Sequence, residues 1–187
     1  SNCSMNLIRN KIIKLEEFSQ KLGDSVVLCH GHFNMIHPGH IRYLDYARKQ
    51  GTKLVVSVEG DSYFLNSEVK HYFSEDERGA GVASIQTVDI VVLLGTGNLE
   101  KLIEVLNPQV LVLGKEFEYE NYDQVSAAVL KLKKQGGQIL YHAGETHYAS
   151  SDFLHSNLPD LHEKNIQLFK QACEQQNISV DELHECI

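Results

Sequence analysis

Residues 26–40 read VVLCHGHFNMIHPGH, and this stretch predicts both the fold and the place of a site. An apolar run ends at Gly31, a short loop follows, and histidines at positions 37 and 40 then flank a Pro-Gly pair. Proline is tolerated in the first turn of a helix because its missing N–H would have had no partner there. We therefore expect a strand, a loop and a helix that begins near Pro38. Such a junction gathers backbone N–H groups and a helix N-terminus around one point, which suits a phosphate.

His37 and His40 are three residues apart at the start of the predicted helix, so both side chains lie on one side of it. Three interpretations stay open. A metal site would need a third ligand of the zinc type, which the nearby sequence does not offer, and a structural pair would bind only protein groups. We favour a pair of hydrogen-bond donors to a phosphoryl oxygen, because such donors stabilise the charge on a phosphate during transfer.

Short apolar runs alternate with helical patterns along the rest of the chain. This alternation predicts an α/β fold with a single doubly wound, Rossmann-like parallel sheet of five strands and helices on both faces. The predicted strands are residues 25–30, 53–58, 88–94, 109–113 and 138–142, and the predicted helices are residues 12–22, 38–50, 74–86, 98–106 and 122–135.

The character of the sequence changes near residue 157. We expect one domain over residues 1–157 and a C-terminal helical extension over residues 158–187, which is polar and carries only a thin apolar stripe. The extension packs back on the sheet, forms a contact in a dimer, or leads to a further domain.

Composition excludes some functions. The net charge of −8 over 187 residues argues against a nucleic-acid surface, which needs a basic field, but it allows a nucleotide site. No apolar run approaches the length of a membrane span, so we expect no membrane partner. The four cysteines form no C-x-x-C pair, and Cys29 lies inside an apolar run, which favours a reducing compartment and hence a cytoplasmic location.

The motif G-x-F-N-x-x-H-x-G-H at residues 31–40 resembles the G-x-F-D-x-x-H-x-G-H signature of the cytidylyltransferase-like nucleotidyltransferases. Three further segments follow in the order of that family. Residues 70–78 are similar to its basic loop and the helix after it. Residues 112–117 are similar to its V-K-G-x-(E/D)-(F/Y) segment, and residues 144–151 are similar to its closing Ser/Thr motif. The last segment looks most like sugar-phosphate nucleotidyltransferase domains that occur fused to a sugar kinase.

The resemblance implies an enzyme that transfers a nucleotidyl group from a nucleoside triphosphate, CTP or ATP, to a phosphorylated sugar or polyol. The acceptor phosphate would attack the α-phosphorus directly and in line, and pyrophosphate would leave. Positioning and electrostatic stabilisation would therefore matter more than a protein nucleophile. Mg²⁺ would arrive with the triphosphate, and no metal ligand of the protein itself is expected. A fused or partner sugar kinase is implied as well, and a homodimer is implied by the resemblance alone.

The same resemblance assigns site residues. The histidines would hydrogen-bond the triphosphate, the lysines and the arginine would contact phosphate oxygens, and the serines would donate hydroxyl and N–H groups at the start of a helix. The catalytic candidates are His37, His40 and Lys70. The nucleotide-binding candidates are Gly31, His32, Phe33, Asn34, Gly39, Arg78, Gly114, Lys115, Ser150 and Ser151.

Some positions depart from the family pattern or allow a purely structural role. Asn34 stands where the family often has an aspartate, and Gly144 stands where glycerol-phosphate-type members have an arginine. The basic loop of similar members carries Lys, Gly and Arg where this chain has Asn66, Val69 and Lys70, so one cation is missing. Arg78 could pair with Glu75 or Glu77 on its own helix instead of with a phosphate. These departures leave a second hypothesis open, in which the chain is a nucleotide-binding regulatory domain with weak or no turnover.

Overall fold

The computed structural model describes residues 8–19, 22–23, 25–65, 72–114, 117 and 123–142. Within them the chain forms a six-stranded sheet in which every strand pairs in parallel with its neighbours. The strands are β1 (Ile12–Lys14), β2 (Val26–Gly31), β3 (Lys53–Val58), β4 (Ile90–Leu93), β5 (Val110–Gly114) and β6 (Gln138–His142). The α-helices that connect the strands are α1 (Pro38–Arg48), α2 (Asp61–Phe64), α3 (Glu75–Ala83), α4 (Leu99–Leu106) and α5 (Asp123–Lys134).

The strand order β1-β4-β3-β2-β5-β6 confirms the doubly wound α/β class. Apart from the edge strand β1, the order runs outwards from β2 in both directions, so the topology reverses between β2 and β5. Pairing of these two strands ends at Cys29 and Val112, whereas β2 stays paired with β3 up to Gly31. Ligands of doubly wound sheets bind at the carboxyl ends of the strands near such a reversal, and the loop after β2 lies there.

The predicted helix over residues 12–22 is wrong, and the sheet has six strands rather than five. Residues 12–14 form β1, and a short 3₁₀ helix over Leu15–Glu17 follows. Ile12 and Ile13 pair with Val91 and Val92 and so extend the sheet beyond β4. The local sequence does not reveal this pairing, because the partner strand lies almost eighty residues further along the chain.

Two apolar clusters cover the two faces of the sheet. Side chains of a strand alternate between faces, so Leu28 belongs to the cluster that packs against α4 and α5, and Val27 belongs to the cluster against α1 and α3. The thiol of Cys29 is buried in the second cluster, as expected of a small core residue, and burial raises its pKa to about 12. Helices on both faces are thus confirmed.

The predicted boundary near residue 157 and the predicted extension over 158–187 lie outside the described residues, so both stay predictions. None of the helices within the described ranges is both long enough and apolar enough to cross a membrane.

Candidate functional site

The two histidines of the motif cap the N-terminus of α1. His37 precedes the helix in an extended conformation, and its Nδ1 accepts a hydrogen bond from the Gly39 N–H at 3.0 Å. The Nδ1 of His40 accepts in turn from the His37 N–H at 3.3 Å. The ring centroids lie 4.0 Å apart. The sequence predicted the shared side of the helix but not this reciprocal cap, because imidazole rings rarely take the place of the usual Ser, Thr, Asp or Asn.

This cap fixes where the histidine protons are. A ring nitrogen that accepts a hydrogen bond carries no proton, so both neutral rings hold their proton on Nε2. Burial, followed by the charge of His37, lowers the pKa of His40 to about 4, and burial, followed by the charge of Arg42, lowers the pKa of His37. Near neutral pH the pair therefore presents two Nε2–H donors at the start of α1, where Pro38 has no N–H and the Gly39 and His40 N–H groups donate to His37 itself. No described residue accepts a hydrogen bond from either Nε2.

The glycines of the motif make room for its own rings. Phe33 has a left-handed backbone with φ of +52°, and its buried ring lies 5.2 Å from the ring of His40. A Cβ on Gly31 would lie 3.0 Å from Cε2 of Phe33, and a Cβ on Gly39 would lie 2.7 Å from Cε1 of His37. A side chain at position 39 would therefore meet the imidazole of His37, and a contact of Gly39 with the nucleotide stays a prediction.

The side chain of Arg78 fixes the position of the loop after β2. Its side chain is fully buried, and it donates three hydrogen bonds: from Nε to the Phe73 carbonyl at 3.1 Å, from Nη1 to the His32 carbonyl at 2.7 Å and from Nη2 to Asp61 Oδ1 at 2.8 Å. The guanidinium also lies over the ring of Phe64, 5.0 Å from its centroid. Arg78 thereby joins α2, α3 and the loop.

This use of Arg78 differs from both sequence hypotheses. Its carboxylate partner is Asp61 of α2 rather than Glu75 or Glu77 of its own helix. Its guanidinium donates to protein acceptors that fix the position of the His32 backbone. A direct contact between Arg78 and the nucleotide stays a prediction.

His32 and Asn34 complete the loop. The ring of His32 packs against Tyr63 and Phe64, with centroid distances of 4.9 and 5.3 Å. Burial, followed by the charges of His30 and Arg78, lowers the pKa of His32 to about 4 although the charge of Glu59 raises it, so this ring is neutral near pH 7. The side chain of Asn34 is buried.

Two buried groups at the same edge escaped the sequence analysis. His30, near the end of β2, contacts Glu59 directly after β3, with 3.3 Å between His30 Nε2 and Glu59 Oε2. The Tyr43 hydroxyl donates to the Val112 carbonyl of β5 and accepts from the His30 N–H at 3.3 Å. Tyr43 therefore fills the point where β2 and β5 separate. His30 and Glu59 are polar residues within and directly after apolar strands, and this position is the signal that could have indicated them.

The remaining candidates are divided between the described and undescribed parts of the chain. Gly114 ends β5 and pairs with His142, which places it on the carboxyl edge of the sheet. Lys70, Lys115, Ser150 and Ser151 lie outside the described residues. Among the described residues, no three His, Cys, Asp or Glu side chains gather into a group that could hold a metal ion. The expectation of Mg²⁺ carried by the nucleotide stays a prediction.

Comparison with known proteins agrees with this geometry. A model of the cytidylyltransferase-like family matches residues 28–152, about two thirds of the chain. With its doubly wound sheet and the H-x-G-H segment at the reversal, the chain belongs to the class of nucleotidyltransferases. The chain is a member of the cytidylyltransferase-like family.

Curated relatives and solved structures refine this placement. The bifunctional protein HldE of Alcanivorax borkumensis is 35% identical over 130 residues, which are 68% of this chain and 26% of that protein. HldE of Aliarcobacter butzleri is 34% identical over 66% of this chain and 27% of its own length. The chain thus spans about a quarter of the length of these relatives, which supports the expected resemblance to domains of fused proteins.

A lipopolysaccharide core biosynthesis protein from Thermoplasma volcanium shares 29% identity with a TM-score of 0.53, and the match covers 65% of this chain and 96% of that one. A pantothenate synthetase from Thermus thermophilus matches with a TM-score of 0.53 over 92% of this chain and 78% of its own. At 16% identity this second match shows the fold alone.

Proposed function

We propose that the chain transfers a nucleotidyl group from CTP or ATP to a phosphorylated sugar or polyol and releases pyrophosphate. The observation that carries the proposal is the reciprocal cap of His37 and His40, which leaves two neutral Nε2–H donors at the start of α1. A triphosphate matches two neutral donors at the positive end of a helix dipole. Membership in the cytidylyltransferase-like family supports the same reaction class.

The histidines would act mainly on the transition state. During in-line attack on the α-phosphorus, negative charge grows on the bridging and non-bridging oxygens of the triphosphate. Donors that are already aligned stabilise this charge without reorganisation, and each is worth about 10²–10³ in rate. The acceptor phosphate would supply the nucleophile, so no covalent bond to the protein would form. Mg²⁺ would enter as part of the nucleotide substrate.

A carbohydrate acceptor is supported by relatives rather than by a contact of this chain. Some relatives are bifunctional proteins, and one solved relative is a lipopolysaccharide core biosynthesis protein. We infer that the acceptor is a sugar phosphate and that a sugar kinase, fused or separate, supplies it. The homodimer and the cytoplasmic location stay predictions.

Pyrophosphate release tests the proposal. ATP, CTP, GTP and UTP should each be incubated with Mg²⁺ and a panel of sugar 1-phosphates and polyol phosphates. We expect one nucleotide, ATP or CTP, to release pyrophosphate only when a sugar or polyol phosphate is present. His40→Ala should lower that rate by about 10²–10³-fold, because one transition-state donor is lost.

The same assay separates the enzyme from a regulatory binding domain. Tight nucleotide binding without pyrophosphate from any acceptor would refute the enzyme and favour the second hypothesis, which the replacement of the family aspartate by Asn34 first suggested. A near-normal rate for His40→Ala would refute the role given to the histidines.

A further inference from the structure

A buried ion pair lies beneath the loop that carries the phosphate donors. The side chains of His30 and Glu59 are only 3% and 6% exposed, and 3.3 Å separate His30 Nε2 from Glu59 Oε2. His30 also contacts Ser57, its registered partner on β3, at 3.0 Å through Nδ1. The Glu59 N–H donates to the Gly31 carbonyl at 3.1 Å. The pair thus extends the attachment of β2 to β3 beyond the last paired residues of the ladder.

The contacts of His30 favour a proton on each ring nitrogen. The Ser57 hydroxyl has one proton, and its donation to the Cys29 carbonyl at 3.1 Å would leave the Ser57 oxygen to accept from His30 Nδ1. An ionised Glu59 only accepts and would need a proton on His30 Nε2. With both ring nitrogens protonated, His30 would be an imidazolium that neutralises the charge of Glu59.

The surroundings of Glu59 are consistent with an ionised carboxylate. Burial opposes its charge, but the hydrogen bond from His30, followed by the charge of His30 and the hydrogen bond from the Gly60 backbone, outweighs burial and holds the pKa of Glu59 below its usual value. Burial, followed by the charge of the same carboxylate, raises the pKa of Tyr63. Arg78, the other nearby cation, is paired with Asp61. Without a charge on His30, the negative charge of Glu59 would stay uncompensated at the end of β2, the strand that leads into the loop of the proposed site.

We propose that His30 is a positioning and charge-compensating residue, which holds the β2–β3 edge and cancels the Glu59 charge so that a nucleoside triphosphate can bind above it. This inference rests on the proposed function, because it assumes that the loop receives a triphosphate. His30 would act through Glu59 and the loop and would not contact the nucleotide. The pair would therefore affect nucleotide affinity more than the turnover of bound substrate.

A double-mutant cycle on the full chain tests this inference. The dissociation constants of Mg-ATP and Mg-CTP should be measured by calorimetry for the wild type, His30→Gln, Glu59→Gln and the double variant. The amide of His30→Gln still reaches towards Glu59 but carries no charge. We expect His30→Gln to weaken binding about tenfold or more, the scale of one uncompensated charge roughly 10 Å from a phosphate at an effective dielectric constant of about 20. Glu59→Gln and the double variant should bind within about threefold of the wild type.

A matched control lies at the opposite edge of the sheet. Arg48 pairs with Asp89 at 3.7 Å, and Asp89 also accepts the Leu54 N–H at 2.8 Å near the amino end of β3. Arg48→Gln leaves a carboxylate without its cation there and changes the net charge by the same amount. It should leave nucleotide affinity within about twofold of the wild type.

The outcomes separate charge compensation from a purely structural role. Nucleotide affinity that is lost in His30→Gln and restored in the double variant supports the inference. A His30→Gln variant that does not fold, beside a double variant that folds and binds, supports it as well. A double variant that binds no better than His30→Gln, or a His30→Gln variant that binds as the wild type does, overturns it. A wild-type protein that binds neither nucleotide refutes the proposed function itself, and the inference falls with it.

Discussion

At the scale of single residues, the H-x-G-H segment combines two tasks in the same rings. His37 and His40 close the helix start with Nδ1 and present Nε2–H outwards. The sequence predicted these donors through residue type and spacing. It could not predict the tautomer, because the tautomer depends on which backbone N–H groups the folded loop brings to Nδ1.

The neutral histidines predict a pH dependence of stability. In the unfolded chain a histidine takes up a proton near its ordinary value of 6.5, whereas the folded structure holds the pKa of His40 at about 4. Between these values the unfolded state binds more protons, so the free energy of unfolding falls as the pH drops from about 6.5 to about 4. The contribution of His40 is at most about 3.4 kcal/mol.

Urea unfolding between pH 7.5 and 4.5 measures this effect. His40→Gln does not titrate, so it should lose less stability than the wild type over the same pH interval. Equal losses in the two proteins would mean that His40 is not held neutral by the fold.

At the scale of elements, Arg78 connects α3 to α2 and to the loop after β2. The basic segment predicted a cation in this place, but its hydrogen-bond partners come from segments up to 46 residues away and are not visible in the local pattern. The wrong helix over residues 12–22 has a similar cause, since β1 forms through pairing with the distant strand β4. Local sequence predicts an element well where its own caps and apolar stripe decide it, as in α1.

The geometry of Arg78 predicts that lysine cannot replace it. The planar guanidinium donates hydrogen bonds to the Phe73 carbonyl, the His32 carbonyl and Asp61 at once. The ammonium group of the shorter lysine side chain would leave some of these buried acceptors unpaired. Arg78→Lys should therefore lower the free energy of unfolding by about 2–4 kcal/mol. Chemical denaturation measures the change, and Arg48→Lys, at a partly exposed position, is the control and should lose no more than about 0.5 kcal/mol. A stability of Arg78→Lys equal to that control would show that the clamp is unimportant.

At the scale of the whole molecule, the sheet order brings the loop after β2 to the reversal between β2 and β5. Alternation of apolar and helical segments was sufficient to predict the doubly wound class and the five main strands. It was insufficient for the strand order and for the buried pair of His30 and Glu59, because both depend on which strands become neighbours. The histidines proposed to bind phosphate could thus be predicted from one contiguous segment. The buried residues that support this segment come from several strands and could not.

The most direct measurement is the rate of pyrophosphate release by His37→Asn beside the wild type. Asparagine is a good N-cap, so this variant keeps an acceptor for the Gly39 N–H but lacks the Nε2–H donor. Asn98→Ala, which removes the cap of α4 far from the motif in sequence, controls for lost helix stability. We predict that His37→Asn keeps nearly the wild-type unfolding temperature and loses about 10²–10³-fold in rate, while Asn98→Ala is less stable by about 1 kcal/mol and fully active. A His37→Asn variant that turns over as fast as the wild type would contradict the assignment of the paired imidazoles as phosphate donors.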